Sequence, residues 1–224
     1  MKFLSTLSAL VFIVVLSAAG LAQDAYQLLR SDPAGYAAVE PGKGLSFPID
    51  HLPHKAFKIE WWYLTANLKD ESGEDYGVHW TLFRQAMSPE PDPGDWQSNQ
   101  VWMAHTALSL PDQFVYEQRF ARGGIGQADV RWDMKERFSA WLDDWHWQAE
   151  TQEPFPGSLS FTSQDVVIEL HMEANTPWVL QGKNGYSQKS ELGQASYYYS
   201  QPHIDIKATI LADGVETSLS GLGW

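Results

Sequence analysis

A chain of 224 residues with no cysteine, 28 acidic against 15 basic side chains and a formal charge of −13 can build one sizeable core, and must hold it without disulfides. The acidity argues against nucleic acid and anionic membrane surfaces as partners. Eleven Trp, nine Tyr and ten Phe make either a broad core or a pocket walled with π-faces.

In chain order, residues 1–22 read as a secretory signal peptide. Met1-Lys2 gives a positive start, Leu7 to Leu16 is apolar but too short to span a bilayer, and Gly20-Leu21-Ala22 offers small residues for cleavage after Ala22. The expected location is periplasmic or secreted. Residues 23–56 form an irregular lead-in broken by Pro33, Gly35, Pro41, Gly42, Gly44, Pro48 and Pro53, with at most a short helical piece at Gln27–Leu29.

Residues 57–224 read as one β domain. Ile59–Leu68 and Tyr76–Gln85 flank the turn-rich Asp70-Glu71-Ser72-Gly73-Glu74 and predict a hairpin. After a proline-rich loop at Met87–Ser98 come strands at Val101–Leu110 and Phe114–Phe120. Gly123-Gly124-Ile125-Gly126 lacks the spacing of a phosphate loop. A short helical piece is expected near Met134–Arg137. Further strands follow at Phe138–Leu142, Trp145–Ala149, Ser158–Thr162, Val166–Met172, Ala195–Ser200, Ile204–Leu211 and Val215–Leu219, the last two joined by the tight turn Ala212-Asp213-Gly214. About ten short strands at regular spacing, with no convincing long helix, predict an antiparallel barrel or sandwich. Strands that are apolar on both faces favour a barrel of eight to ten strands.

Glu60-Trp61-Trp62-Tyr63-Leu64 is such a strand. Trp61 and Tyr63 point one way, Trp62 and Leu64 the other. Glu60 either caps the strand in water or sits in a low-dielectric pocket where its proton is chemically useful. The chain has no cysteine, no G-x-S-x-G elbow and no HExxH helix. His51 and His54 form H-x-x-H in a proline-containing loop, which does not place both rings on one helical face, so no metal is expected. The remaining chemistry is that of acids beside aromatics. Glu60 or Asp50, protonated in an apolar pocket, would donate a proton to a carbon–carbon double bond, and aromatic faces would stabilise the cation. Arg84 opposes this, because a cation in reach would hold a carboxylate ionised. Exposed Trp102, Trp132 or Trp141 on one face would instead mark a carbohydrate-binding module.

Seven strings occur in order: Asp50-His51-Leu52-Pro53-His54, Glu60-Trp61-Trp62-Tyr63, Phe83-Arg84, Met103-Ala104-His105-Thr106-Ala107, Leu180-Gln181-Gly182, Ala195-Ser196-Tyr197-Tyr198-Tyr199-Ser200 and Ser220-Gly221-Leu222-Gly223-Trp224. Together they resemble the carotenoid 1,2-hydratase (CrtC)/AttH-like family, also labelled predicted secreted hydrolases. The resemblance implies an all-β, antiparallel lipocalin-like (calycin) barrel, the first of two tandem barrels. The family continues past the Gly-Trp found here, so the second barrel is expected to be truncated and Leu219–Trp224 to lack its usual cover. The resemblance also implies cofactor-free addition of water across an isoprenoid double bond. No activated nucleophile supports the hydrolase label. His79 stands where the family strand is expected to carry glutamine.

Two functions stay open. One is a hydratase-like lyase with Glu60 or Asp50 as the acid. The other is a non-catalytic lipid or isoprenoid carrier, for which the resemblance implies an ABC transporter as partner. In either, the ligand-binding residues are expected among His51, Trp61, Trp62, Tyr63, His79, Arg84, His105, Tyr197, Tyr198 and Tyr199.

Overall fold

The computed structural model describes residues 34–191 and 194–224. The expected signal peptide and the expected helical piece at Gln27–Leu29 lie outside these residues. The described chain is almost entirely antiparallel β-structure. Its first hairpin is the one the sequence predicts: β1 (Ile59–Lys69) and β2 (Asp75–Ala86) pair along their whole length, with Leu68 opposite Tyr76 and Glu60 opposite Arg84. The turn closes because Oδ1 of Asp70 accepts from the backbone N–H groups of Ser72 and Glu74. Gly73 takes the positive φ of 91° that such a turn requires.

The sheet continues through β3 (Gln100–Ser109), β4 (Phe114–Arg122), β5 (Ala128–Trp132), β6 (Phe138–Leu142), β7 (Trp145–Ala149), β8 (Gly157–Ser163) and β9 (Val166–Glu173), and ends with β14 (Ile204–Ala212) and β15 (Val215–Gly223). The chain makes an excursion between β9 and β14. It holds two small two-stranded sheets, β10 (Val179–Leu180) with β13 (Tyr199–Ser200) and β11 (Tyr186–Gln188) with β12 (Ala195–Tyr197). The main sheet has 11 strands in the order β4-β3-β2-β1-β15-β14-β9-β8-β7-β6-β5 and curls into a nearly closed barrel.

Side chains close the gap at the β4 edge. The Arg119 guanidinium lies 4.3 Å from the centre of the Trp145 ring and pairs with Asp144 and Glu117. Glu117 in turn accepts from the Gln164 backbone N–H at 2.8 Å.

The aromatics that the composition left as core or pocket fill the interior. Trp80, Phe138, Trp145 and Trp147 are all buried. Trp147 packs edge-on or tilted against Trp80, Phe138 and Phe155 at 5.4–6.0 Å between centroids.

Four details depart from the sequence reading. The main sheet has one strand more than the expected range. Met134–Arg137 is a turn, held by Asp133 accepting from the N–H groups of Lys135 and Arg137. Trp102 is buried, and Trp132 and Trp141 are only half-exposed, so the row a carbohydrate module would need is not formed. Leu219 is buried, and Ser220–Gly223 pair with β1 on one side and β14 on the other. Trp224 exchanges both backbone hydrogen bonds with Thr65. Glycine explains this fit, because a Cβ on Gly221 would stand 2.2 Å from the Asn67 carbonyl oxygen. Only Leu222 and Trp224 leave large apolar side chains about half exposed there.

Candidate functional site

Strand alternation divides the expected site residues between the two faces of one sheet. Along β1 the even positions Trp62, Leu64, Ala66 and Leu68 turn to the interior; Trp61, Tyr63 and Thr65 turn outward.

Glu60 lies at the inner end of β1. Arg84, fully buried on the neighbouring strand, donates to it through Nε at 2.8 Å and directs its other nitrogens at Gln100 Oε1 and the carbonyls of His54 and Phe57. Glu60 also accepts from the His54 backbone N–H and faces His54 Nδ1 at 2.8 Å. His54 Nε2 meets Asp50 Oδ1 at 3.0 Å, and Asp50 Oδ2 accepts from the Ser46 N–H. The hydrogen bond to Glu60, aided by Asp50, raises the His54 pKa although burial opposes it. This is an ionic chain tying the lead-in to the sheet. All four carboxylate oxygens of Glu60 and Asp50 are engaged by these partners.

His51 is fully buried on the 3-10 turn Ile49–His51. Its nitrogens reach the Tyr199 hydroxyl at 2.9 Å and Glu153 Oε2 at 2.8 Å, and its ring stacks on Phe47. Burial outweighs Glu153 and lowers its pKa, and the Tyr199 hydroxyl also donates to the Asp50 carbonyl at 3.2 Å. Trp62 belongs to the same structure, its Nε1 donating to the His51 carbonyl. The tyrosine run fastens three places at once. Tyr197 bonds the Glu40 backbone, Tyr198 meets the Tyr63 hydroxyl at 2.5 Å, and Tyr199 reaches His51.

The outward face gathers the others. Pairing across β1–β4 sets them in rungs: Trp61, Phe83, Met103 and Phe120; Tyr63, Thr81, His105 and Gln118; Thr65, His79, Ala107 and Tyr116. Most are half-buried, while Tyr116 and Phe120 are exposed. His79 is held at both nitrogens, by Thr65 Oγ1 at 2.9 Å and Thr81 Oγ1 at 2.7 Å. Burial, helped by the nearby His105, lowers its pKa. The His105 ring sits between Phe83 and Tyr116, and its pKa is lowered by burial. Its Nε2 has no hydrogen-bond partner among the described residues. At neutral pH these three rungs are an uncharged aromatic surface with two neutral imidazoles and several hydroxyls.

Among the described residues no three His, Cys, Asp or Glu side chains are grouped to hold a metal ion. Every nitrogen of the H-x-x-H pair is already engaged by a carboxylate or a hydroxyl.

The AttH-like family model matches residues 38–224. The chain is a member of the AttH-like family. It is 33% identical to an AttH protein of Nitrosomonas europaea of known structure, with a TM-score of 0.71, covering 84% of this chain and 56% of that one. It also shares its fold with kievitone hydratase from Nectria haematococca at a TM-score of 0.51 and 13% identity, covering 86% of this chain and 56% of that one. The AttH-like chain thus spans little more than half the length of either protein. No curated protein matches it.

Of the expected residues, Asp50, His51, Glu60, Trp62, Arg84 and Tyr199 form the inner network. Trp61, Tyr63, His79 and His105 share the outer face, where Tyr198 reaches Tyr63. Tyr197 holds the lead-in at Glu40. Sequence reasoning missed Phe83, Thr81, Met103 and Phe120 as neighbours on the outer face, and Glu153 as the partner of His51. Phe83 and Thr81 follow from register once Leu68 is set opposite Tyr76, whereas Met103 and Phe120 also need the registers of β2 with β3 and of β3 with β4. Glu153 sits in a loop, and no spacing announces it.

Proposed function

We propose that this AttH-like protein binds an apolar, unsaturated isoprenoid or lipid-like ligand on the outer face of β1–β4, rather than inside the barrel. The observation that carries the reading is the pairing of two surfaces on the same strands. The interior is filled by Trp80, Trp147 and their neighbours. The outer face holds an aromatic rung, Trp61–Phe83–Met103–Phe120, beside two neutral histidines. Apolar surface of that kind on a folded domain marks an interaction site. The signal-like composition of residues 1–22 supports work outside the cytoplasm, where a carrier would deliver its ligand to an ABC transporter.

A hydratase reading remains as the alternative, and one observation favours it. The Tyr63 and Tyr198 hydroxyls stand 2.5 Å apart at the margin of this face, so one phenol can polarise the other toward a double bond. Burial and this hydrogen bond raise the Tyr63 pKa, which keeps its proton in place at neutral pH. Glu60, ion-paired with Arg84, is a poorer acid for that step.

The test is titration of the protein with geranylgeraniol, followed by tryptophan fluorescence, and the same titration of Trp61→Ala. We expect saturable binding that weakens at least fivefold in the variant. Unchanged affinity in Trp61→Ala, or no binding at all, would sink the reading. Incubation of the bound alcohol in heavy-oxygen water separates the alternatives, since only a hydratase adds labelled water to the ligand.

A further inference from the structure

Arg122 follows the apolar rung on β4. It is exposed, and among the described residues it has no carboxylate partner, in a chain with 28 acidic side chains. Beside it a groove of about 490 Å³ is walled by Met87, Val101 and Phe120 and bordered by Asn99 and Gln127. Val101 and Arg122 are direct partners across β3 and β4, and Phe120, the next residue on that face, pairs with Met103. The rung crosses four strands, a length of about 14 Å at ordinary strand spacing, and so matches an extended acyl chain. It ends on a cation.

We propose that this groove receives the carboxylate of a long-chain unsaturated acid, with Arg122 taking the charge and the Trp61–Phe83–Met103–Phe120 rung taking the chain. This names the ligand class for the site under Proposed function and rests on that reading. A guanidinium presents paired N–H donors that match both oxygens of a carboxylate. An alcohol of the same chain length gains only the apolar contact. The amide nitrogens of Asn99 and Gln127 already donate to the Glu90 carbonyl and to Asp143, so recognition of the charge falls to Arg122.

The experiment compares oleic acid with oleyl alcohol, both below their aggregation concentrations, at pH 8 and low salt. Binding to the full chain is followed by tryptophan fluorescence. Because Arg122 is exposed to solvent, the expected preference for the acid is about fivefold and declines as salt is added. Arg122→Gln should bring the acid to the affinity of the alcohol and leave the alcohol unchanged. Phe120→Ala should weaken both. Equal binding of acid and alcohol by the wild type, or an acid preference that survives Arg122→Gln, overturns the inference while leaving the apolar-ligand reading standing. Binding of neither overturns both. Concentration-dependent self-association that Phe120→Ala abolishes, with no acid binding, would give the face to a second copy of the chain and also overturn the inference.

Discussion

At the scale of single residues, Arg84 decides what Glu60 can do. A fully buried guanidinium with its carboxylate, an amide and two backbone carbonyls around it is costly to leave half-made. Replacing it with methionine leaves Glu60 short of its main counter-charge and strands the Gln100 side chain and the His54 and Phe57 carbonyls. We expect Arg84→Met to lose about 3–5 kcal/mol of unfolding free energy in urea titrations at pH 7. Arg84→Lys should recover little, because an ammonium cannot reach this fan of acceptors. A loss below about 1 kcal/mol would show that the pair is a solvated surface contact and reopen Glu60 as an acid. The pairing was legible in the sequence: the predicted hairpin, set by its Asp70–Glu74 turn, puts Glu60 opposite Arg84. The full burial of Arg84 was not legible, because it depends on Gln100 and on the loop around His54 and Phe57.

At the scale of elements, the lead-in is a latch on the barrel, although sequence reasoning read it only as irregular. Prolines and glycines hid the fact that Asp50, His51 and His54 each have a long-range partner. His54 gives the latch its pH dependence. Its pKa is raised in the folded protein by Glu60 and Asp50, so its stabilising effect is fully present below its unfolded value of about 6.5. The effect is lost as pH rises through the higher folded value. His51 has the opposite sign, since burial lowers its pKa and acid destabilises the fold through it. A raw pH profile mixes the two, but the difference between wild type and His54→Gln isolates His54. In paired urea melts that difference should be on the order of 1 kcal/mol at pH 6, allowing for the partial exposure of the ring, and should shrink toward pH 9. A gap that grows with pH would contradict the arrangement. The excursion between β9 and β14 serves the same latch from the other side through Tyr197–Tyr199. Its strands β10 and β11 escaped the sequence reading because two- and three-residue strands carry no measurable alternation.

At the scale of the whole molecule, one curved sheet presents two surfaces with opposite work. Alternation and turn chemistry made the barrel legible, since a period of two over about ten segments leaves few other architectures. What sequence alone left undecided was which side of the sheet is full. Adjacent residues on β2 answer it experimentally. Leu82 is fully buried in the interior, and Phe83, next along the strand, stands half-buried on the outer rung. Leu82→Ala removes interior contacts and should cost about 2–5 kcal/mol in stability. With the measurement confined to conditions where the variant is folded, its affinity for geranylgeraniol should stay within about twofold of wild type, since ΔΔG values at sites with no shared partners are nearly independent. Phe83→Ala should do the reverse, losing at least fivefold in affinity while its melting temperature falls less than that of Leu82→Ala. If Leu82→Ala changes affinity and Phe83→Ala does not, the ligand enters the barrel in spite of its packed aromatic interior. The outer face would then be a docking surface for protein.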